Sequence, residues 1–424
     1  MSYRYFIITR RVLAAVLAGA MSLAAVAQTA ERWTTSWIAP PEPTWGSDFA
    51  LPLGLPEHFE NATLRQSLRL AVGGERIRLV IDNRYGERPL KVGRAHVALE
   101  DGGDRAEKGG AWARFQGSGE LLVAAGAKAV SDPISLPAAA GARLRVDLYL
   151  PQHTQLAGFH WDARDRTLLL PGDMSGKTAA ATDGQVFTAR AFLSAVMVES
   201  SSSSKREPMT VVALGDSITD GNGSTPGADQ RWPDFLARRL APQGVAVLNA
   251  GISGNRLLRP GMGESALARL ERDALQQSGV RALIVLLGTN DIGWPGAAFA
   301  PREGQVPLEE LVSGFRQLVA QAHLRGVRVM AATLPPFEGA LAGTPFEGHY
   351  SPAKEATRQA LNAWIREAGA FDAVVDFDRV LRDPARPIRL RAEFDSGDHL
   401  HPNDAGYRAM AQAVDLEALG VGLH

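Results

Sequence analysis

The 424-residue chain has no cysteine. Disulfides, thiolate nucleophiles and cysteine-ligated zinc are therefore excluded. Neither sign of charge is in excess, since 45 Lys and Arg face 46 Asp and Glu for a net charge of −1. That balance gives no electrostatic reason to propose a nucleic-acid partner. No stretch beyond the first 27 residues is apolar and long enough to span a membrane. No internal repeat recurs at a fixed period. His58, His96, His153, His160, His323 and His349 show no metal-like clustering with carboxylates. Neither metal nor cofactor is expected.

What remains is ordinary for a globular protein, 45% apolar and 21% charged. The length predicts two domains rather than one core. Met1 to Arg11 is polar and basic, Val12 to Val26 is apolar and small, and Ala25-Val26-Ala27 fits a small-x-small cleavage site. The apolar run falls short of the roughly 20 residues a helical span needs. Residues 1–27 are therefore expected to be a secretory signal peptide, with a mature chain from Gln28 that is secreted or periplasmic. The leader carries Arg4, Arg10 and Arg11 and no acids, so its removal leaves 42 basic against 46 acidic residues, or −4.

Residues 28–198 have the rhythm of β structure. Leu64–Leu70, Arg76–Ile81 and Arg143–Leu150 alternate apolar with polar, which predicts one buried and one wet face. Gly73-Gly74, Tyr85-Gly86 and Asp101-Gly102-Gly103 supply turns. Trp33 and Trp37 alternate in the first strand and are expected in the core. Short strands with glycine-rich turns predict an all-β sandwich or jelly roll. Residues 199–207, with five consecutive serines, are the expected linker.

From 208 to 424 the rhythm becomes strand then helix. Apolar runs at Val211–Leu214, Val245–Leu248, Ala282–Leu287, Val327–Ala332 and Ala373–Val375 alternate with helical patterns. Those patterns lie near Gln230–Leu240, Glu264–Gln277, Leu308–Leu324, Lys354–Ala368 and Asn403–Val414. This predicts an α/β domain with a parallel sheet covered on both faces.

Four short motifs fall at strand ends or in the loops that follow. They are Gly215-Asp216-Ser217, Asn249-Ala250-Gly251-Ile252-Ser253-Gly254-Asn255, Gly288-Thr289-Asn290-Asp291 and Asp398-His399-Leu400-His401-Pro402. Open parallel sheets carry their sites at that edge. A strand, tight turn and helix around Ser217 would expose its hydroxyl there as a nucleophile. A serine hydroxyl needs a base to take its proton, and histidine suits the role near neutrality. A carboxylate must then orient the imidazole. Asp398 and His401, three residues apart on a short loop, can supply both. Candidate donors to the oxyanion are the Ser217 N–H, the Gly254 N–H and the Asn290 side-chain amide. A glycine at 254 lets the backbone approach a substrate closely.

At these residues the sequence resembles the GDSL, or SGNH, hydrolase family, whose name records the Ser217, Gly254, Asn290 and His401 positions. Asp398 stands at the family's acid position. The resemblance covers about Met209 to Leu419, with Gly-Asp-Ser-Ile in place of Gly-Asp-Ser-Leu. It implies a flavodoxin-like sheet and a metal-free Ser-His-Asp esterase or acylhydrolase. More loosely, the N-terminal β region resembles the accessory sandwich of secreted bacterial members, many of them carbohydrate-esterase-like. The expected substrates are short acyl esters, above all acetyl groups, on small molecules or polysaccharides. A broad-range carboxylesterase or lipase, and a non-catalytic glycan-binding envelope protein, are the alternatives.

Each residue also has a plainer reading. Ser217 could cap the segment after it, and Asn290 could cap a turn. The Gly215–Gly223 loop lacks the spacing of a phosphate-binding turn. His399 competes as the base, but it lies one residue from Asp398 and is expected to point elsewhere; the family pattern D-x-x-H selects His401. Asp395 is the second candidate acid, or a solvated loop charge. Asp291 is expected to be structural. Trp232, Trp294, Phe337 and Tyr350 could line a cleft or pack the core.

Overall fold

The computed structural model describes residues 32–100, 107–199 and 209–420. The expected signal peptide, residues 1–27, and the linker from Ser200 to Glu207 lie outside them. Glu199, expected to open the linker, instead closes the strand Leu193–Glu199, where it pairs with Trp33 and is bridged by Arg76 at 2.6 Å.

The N-terminal β-rich region holds two large antiparallel sheets. One has five strands, in which Leu193–Glu199 lies between Trp33–Ile38 and Gly74–Asp82. Lys128–Val130 and Ile134–Ala138 both pair with Gly74–Asp82. The other has six strands, centred on Ala62–Arg69 and Arg143–Leu150. Leu64, Leu68, Leu144, Val146 and Leu148 of one meet Ile77, Leu79, Ile81 and Val196 of the other in a shared core. The outer face of Arg143–Leu150 is not wet as the alternation predicts. There Arg65 grips the fully buried Asp147 at 2.8 Å, and its guanidinium reaches over to the carbonyls of Met174 and Lys177. Pairing and hydrogen bonding let a charged face be covered. Trp37 belongs to the core, but Trp33 does not. The register slips between Thr35 and Trp37, and Trp33 lies half-buried under the guanidiniums of Arg78 (4.5 Å) and Arg76 (5.9 Å). A bulge of this kind breaks the period-two rule that placed the two tryptophans on one face.

The C-terminal region is a five-stranded parallel sheet with helices: β1 (Met209–Gly215), β2 (Val245–Gly251), β3 (Val280–Leu286), β4 (Arg328–Ala332) and β5 (Ala373–Val375). The helices that bear on the site are α1 (Ser217–Asp220), α2 (Trp232–Leu240), α3 (Ala266–Leu270), α4 (Thr289–Gly293), α5 (Leu308–Leu324), α6 (Pro352–Glu367), α7 (Phe377–Leu381) and α8 (Asp404–Ala413). The strand order is β2-β1-β3-β4-β5. The switch point lies between β1 and β3, so the loops after them open on one crevice. Val211, Val212, Leu214, Leu283, Ile284 and Val285 are fully buried. Near-continuous apolar runs are what a sheet covered on both faces requires. The helix expected over Glu264–Gln277 is shorter: α3 gives way to a π turn at Glu271–Leu275. Arg269 at its end is wholly buried and donates to the carbonyls of Gly215 and Ala250.

The two regions touch extensively. The strand Trp33–Ile38 lies beside β2, and Ile38 joins the C-terminal core. Ser278 Oγ donates to the Trp33 carbonyl at 2.6 Å, and Asp229 accepts from Arg69 and Arg143 at 2.6 Å each. No described helix is long and apolar enough to cross a membrane.

Candidate active site

The apolar run of β1 delivers Gly215 to the sheet edge. A Cβ there would lie 2.0 Å from Thr219 Oγ1 and 2.9 Å from the Leu286 carbonyl, so the turn needs glycine. Asp216 caps α1, its Oδ1 accepting from Ile218 N at 3.0 Å. Its other oxygen, Oδ2, is buried without a partner, and burial pushes the carboxyl up to about 7. Ser217 opens α1 and is 8% exposed. The helix ends at once on Gly221, whose φ is 114° and whose N–H returns to the Ser217 carbonyl at 2.8 Å.

His401 arrives from the loop before α8. Its Nε2 lies 2.8 Å from Ser217 Oγ and its Nδ1 lies 2.6 Å from Asp398 Oδ2. With Nδ1–H donating to the carboxylate, Nε2 is left to accept the serine proton. Asp398 Oδ1 accepts from the N–H groups of Leu400 and His401, at 2.9 and 2.8 Å, and from Ser396 Oγ at 3.1 Å. Burial alone would raise the Asp398 carboxyl. The His401 hydrogen bond and charge, with the backbone donors, outweigh it and hold the group well below the usual carboxylate range. Asp398 is therefore held ionised at neutral pH.

His399 and Asp395 form a second pair on the same loop. His399 Nδ1 bonds Asp395 Oδ2, while Asp395 Oδ1 accepts from Gly397 N and His399 N. His399 adopts φ 61° and its side chain is 46% exposed. Asp395 is thus a loop staple rather than the solvated charge that was the alternative reading.

Gly254 has φ 69°, and a Cβ on it would come within 2.6 Å of Met262 Sδ and 2.7 Å of Trp294 Cζ2. Both the backbone conformation and the space demand glycine. Asn290, on α4, donates one amide N–H to the Asn255 carbonyl at 3.0 Å, which fixes the orientation of the other. Asp291 beside it accepts from Leu257 N and Leu258 N, at 2.8 and 3.1 Å, and so holds the loop after Gly254. The structure thus gathers Ser217, Gly254, Asn290, Asp398 and His401 at one sheet edge. Among the described residues, no three His, Asp or Glu side chains are grouped to hold a metal ion.

The aromatic candidates divide. Trp232 and Phe337 are fully buried core. Tyr350 is half-buried and packs edge-on against Phe337. Trp294 packs against Gly254 and stacks on Phe299, which stacks on Phe346 at 5.0 Å. Trp45, Phe49 and Trp161 of the β-rich region extend this cluster. None of those three stands out in the sequence, because no periodicity connects them. His349 is another unforeseen neighbour. Burial and the charges of Lys354 and His401 push it down to about 3, so it is neutral, and its Nε2 has no partner.

Residues 213–409 match the GDSL-like Lipase/Acylhydrolase family. No curated protein matches the chain. Among solved structures, it is 18% identical to a GDSL-like lipase from Bacteroides thetaiotaomicron, over 50% of this chain and 89% of that one, with a TM-score of 0.37. A carbohydrate acetylesterase from Sinorhizobium meliloti is 18% identical over 50% of this chain and all of its own, TM-score 0.38. An aryl esterase from M. smegmatis is also 18% identical, over 50% and 98%, TM-score 0.38.

Proposed function

We propose that the protein is a serine ester hydrolase whose catalytic domain is the segment, residues 213–409, that matches the GDSL-like Lipase/Acylhydrolase family. One observation carries the reading: a single imidazole bridges the Ser217 hydroxyl at 2.8 Å and the Asp398 carboxylate at 2.6 Å. His401 Nε2 takes the serine proton as Oγ attacks the ester carbonyl. The ionised Asp398 stabilises the imidazolium that forms. The N–H groups of Ser217 and Gly254 and the free N–H of Asn290 receive the charge on the carbonyl oxygen. His401 then protonates the departing alcohol, and an acyl-Ser217 intermediate remains. Water activated by the same histidine attacks it and releases the acid, restoring the serine.

The substrate is a short acyl ester, with acetyl groups on polysaccharides as the preferred case. Two features support this: Trp294 and Met262 crowd the Cα side of Gly254, and the basic, then apolar, N-terminus has the pattern of a secretory leader. The reading also takes residues 28–198 as an accessory domain and places the mature enzyme outside the cytoplasm. Hydrolysis of p-nitrophenyl acetate and of longer acyl esters, wild type beside Ser217→Ala, tests it. Acetate-selective turnover lost in the variant is expected. Turnover that survives the substitution contradicts the mechanism, and a preference for long chains favours the lipase alternative.

A further inference from the structure

Outside the serine site, a buried group of charges lies where the β-rich region meets α1. His160 ends the short strand Gly158–His160 and is 6% exposed. Its Nδ1 lies 2.9 Å from the Pro40 carbonyl and its Nε2 lies 3.0 Å from Asp220 Oδ1. Both partners are acceptors only, so both ring nitrogens carry protons and the ring is a cation. Asp220, the last residue of α1, is 1% exposed. Its second oxygen accepts from Ser253 N at 3.2 Å and Ser253 Oγ at 2.9 Å. The residue after Ser253 is Gly254. Glu42 is buried alongside; it accepts from Trp161 N, and its Oε2 has no partner.

A continuous path therefore runs from the β-rich backbone through His160 and Asp220 to the loop that presents Gly254. Burying such an ion pair adds little net stability, because desolvation cancels much of the attraction. What it can supply is fixed geometry. Asp220 sits three residues beyond Ser217 and bonds the residue before Gly254, so it ties the nucleophile helix to the oxyanion loop. His160 is what holds that carboxylate from the far side.

We propose that His160 is a positioning residue, contributed by the β-rich region, that sets the distance between Ser217 and the Gly254 N–H through Asp220 and Ser253. This rests on the serine esterase reading given above. It assigns the β-rich region a part in catalysis that does not depend on contact with substrate. Small misplacements of this kind cost on the order of 10- to 100-fold in rate.

The test uses the full chain and two readouts. In the first, kcat and KM for p-nitrophenyl acetate are compared for wild type, His160→Ala and His160→Gln. A positioning role predicts that kcat falls on the order of 10- to 100-fold in His160→Ala with KM little changed, and that His160→Gln, which keeps a donor toward Asp220, recovers part of the loss. In the second, hydrogen–deuterium exchange is followed without substrate. Peptides covering 216–224 and 250–256 should exchange faster in His160→Ala, while β4 and β5 stay as in wild type. Wild-type kcat together with unchanged exchange in those two segments overturns the proposal. So does uniform loosening of the whole α/β region, which marks a merely structural role. If His160→Ala does not fold, Ser253→Ala removes one Asp220 contact, and unchanged exchange at 250–256 in that variant overturns the proposal equally. The exchange readout needs no turnover, so it separates failure of this inference from failure of the esterase reading.

Discussion

Two histidine–aspartate pairs in this molecule differ in one respect that decides their chemistry. His401 has Asp398 on one nitrogen and a hydroxyl, Ser217, on the other. His160 has Asp220 on one nitrogen and a backbone carbonyl, from Pro40, on the other. A hydroxyl can give up its proton, so the first ring can act as a base. A carbonyl can only accept, so the second ring is held as a cation; burial opposes its charge, but Asp220, with Glu42 and the Pro40 carbonyl, outweighs burial and raises its affinity for the proton. Proximity of imidazole to carboxylate does not by itself leave a ring free to act as a base; an acceptor on the far nitrogen requires a proton there.

Breaking the first pair should have the largest effect. His401→Ala is expected to lower kcat/KM for p-nitrophenyl acetate by roughly 10⁴-fold or more, well beyond His160→Ala. Equal losses in the two variants would erase the distinction drawn here. Asp398→Asn keeps the shape but presents an amide to Nδ1, which favours the wrong tautomer. A loss of about 10³- to 10⁴-fold in kcat is expected from it, and activity within tenfold of wild type would remove Asp398 from the mechanism.

Gly254→Ala probes the loop after β2 that carries the candidate oxyanion donor. It places a Cβ against Met262 and Trp294 at a positive φ. Displacement of the donor should reduce kcat by on the order of 10- to 100-fold, and an unimpaired variant would show that this N–H is not used.

Glu42, beside His160, sharpens the comparison through pH. Burial pushes its carboxyl from its ordinary 4.5 up to about 8. The native state then binds more protons than the unfolded chain between those values, so stability declines as pH rises through that window. Glu42→Gln should match wild type in thermal melts near pH 5 and melt several degrees higher near pH 8. The same difference at both pH values would mean that Glu42 is not protonated in the fold. The smallest effect belongs to the exposed pair. His399→Ala is expected to change kcat less than about threefold, because its partner Asp395 staples the loop through two backbone bonds as well. A tenfold loss would make that pair part of the site.

How much of this the sequence discloses depends on how local the signal is. The serine turn and the Asp398–His401 couple are legible because strand, turn and D-x-x-H each lie within a few residues. The five parallel strands are legible because burial on both faces demands unbroken apolar runs. α5 spans Leu308–Leu324 as its periodicity predicts. Trp33 is misplaced because a bulge resets the alternation, and the outer face of Arg143–Leu150 is misjudged because residues 174–177 fold over it. His160 and Asp220 are 60 residues apart and meet only when the two regions dock. No spacing rule announces such a contact. An unpaired-looking histidine on a β strand gives no hint of it.

The central claim is that Ser217 is acylated through His401. Acid-quenching the enzyme during turnover of p-nitrophenyl acetate, then locating the acetyl group by peptide mass spectrometry, tests it most directly. An acetyl adduct on Ser217 is expected to build up in wild type and to be absent in His401→Ala. An adduct on another residue, or turnover with no adduct that continues in Ser217→Ala, would contradict it.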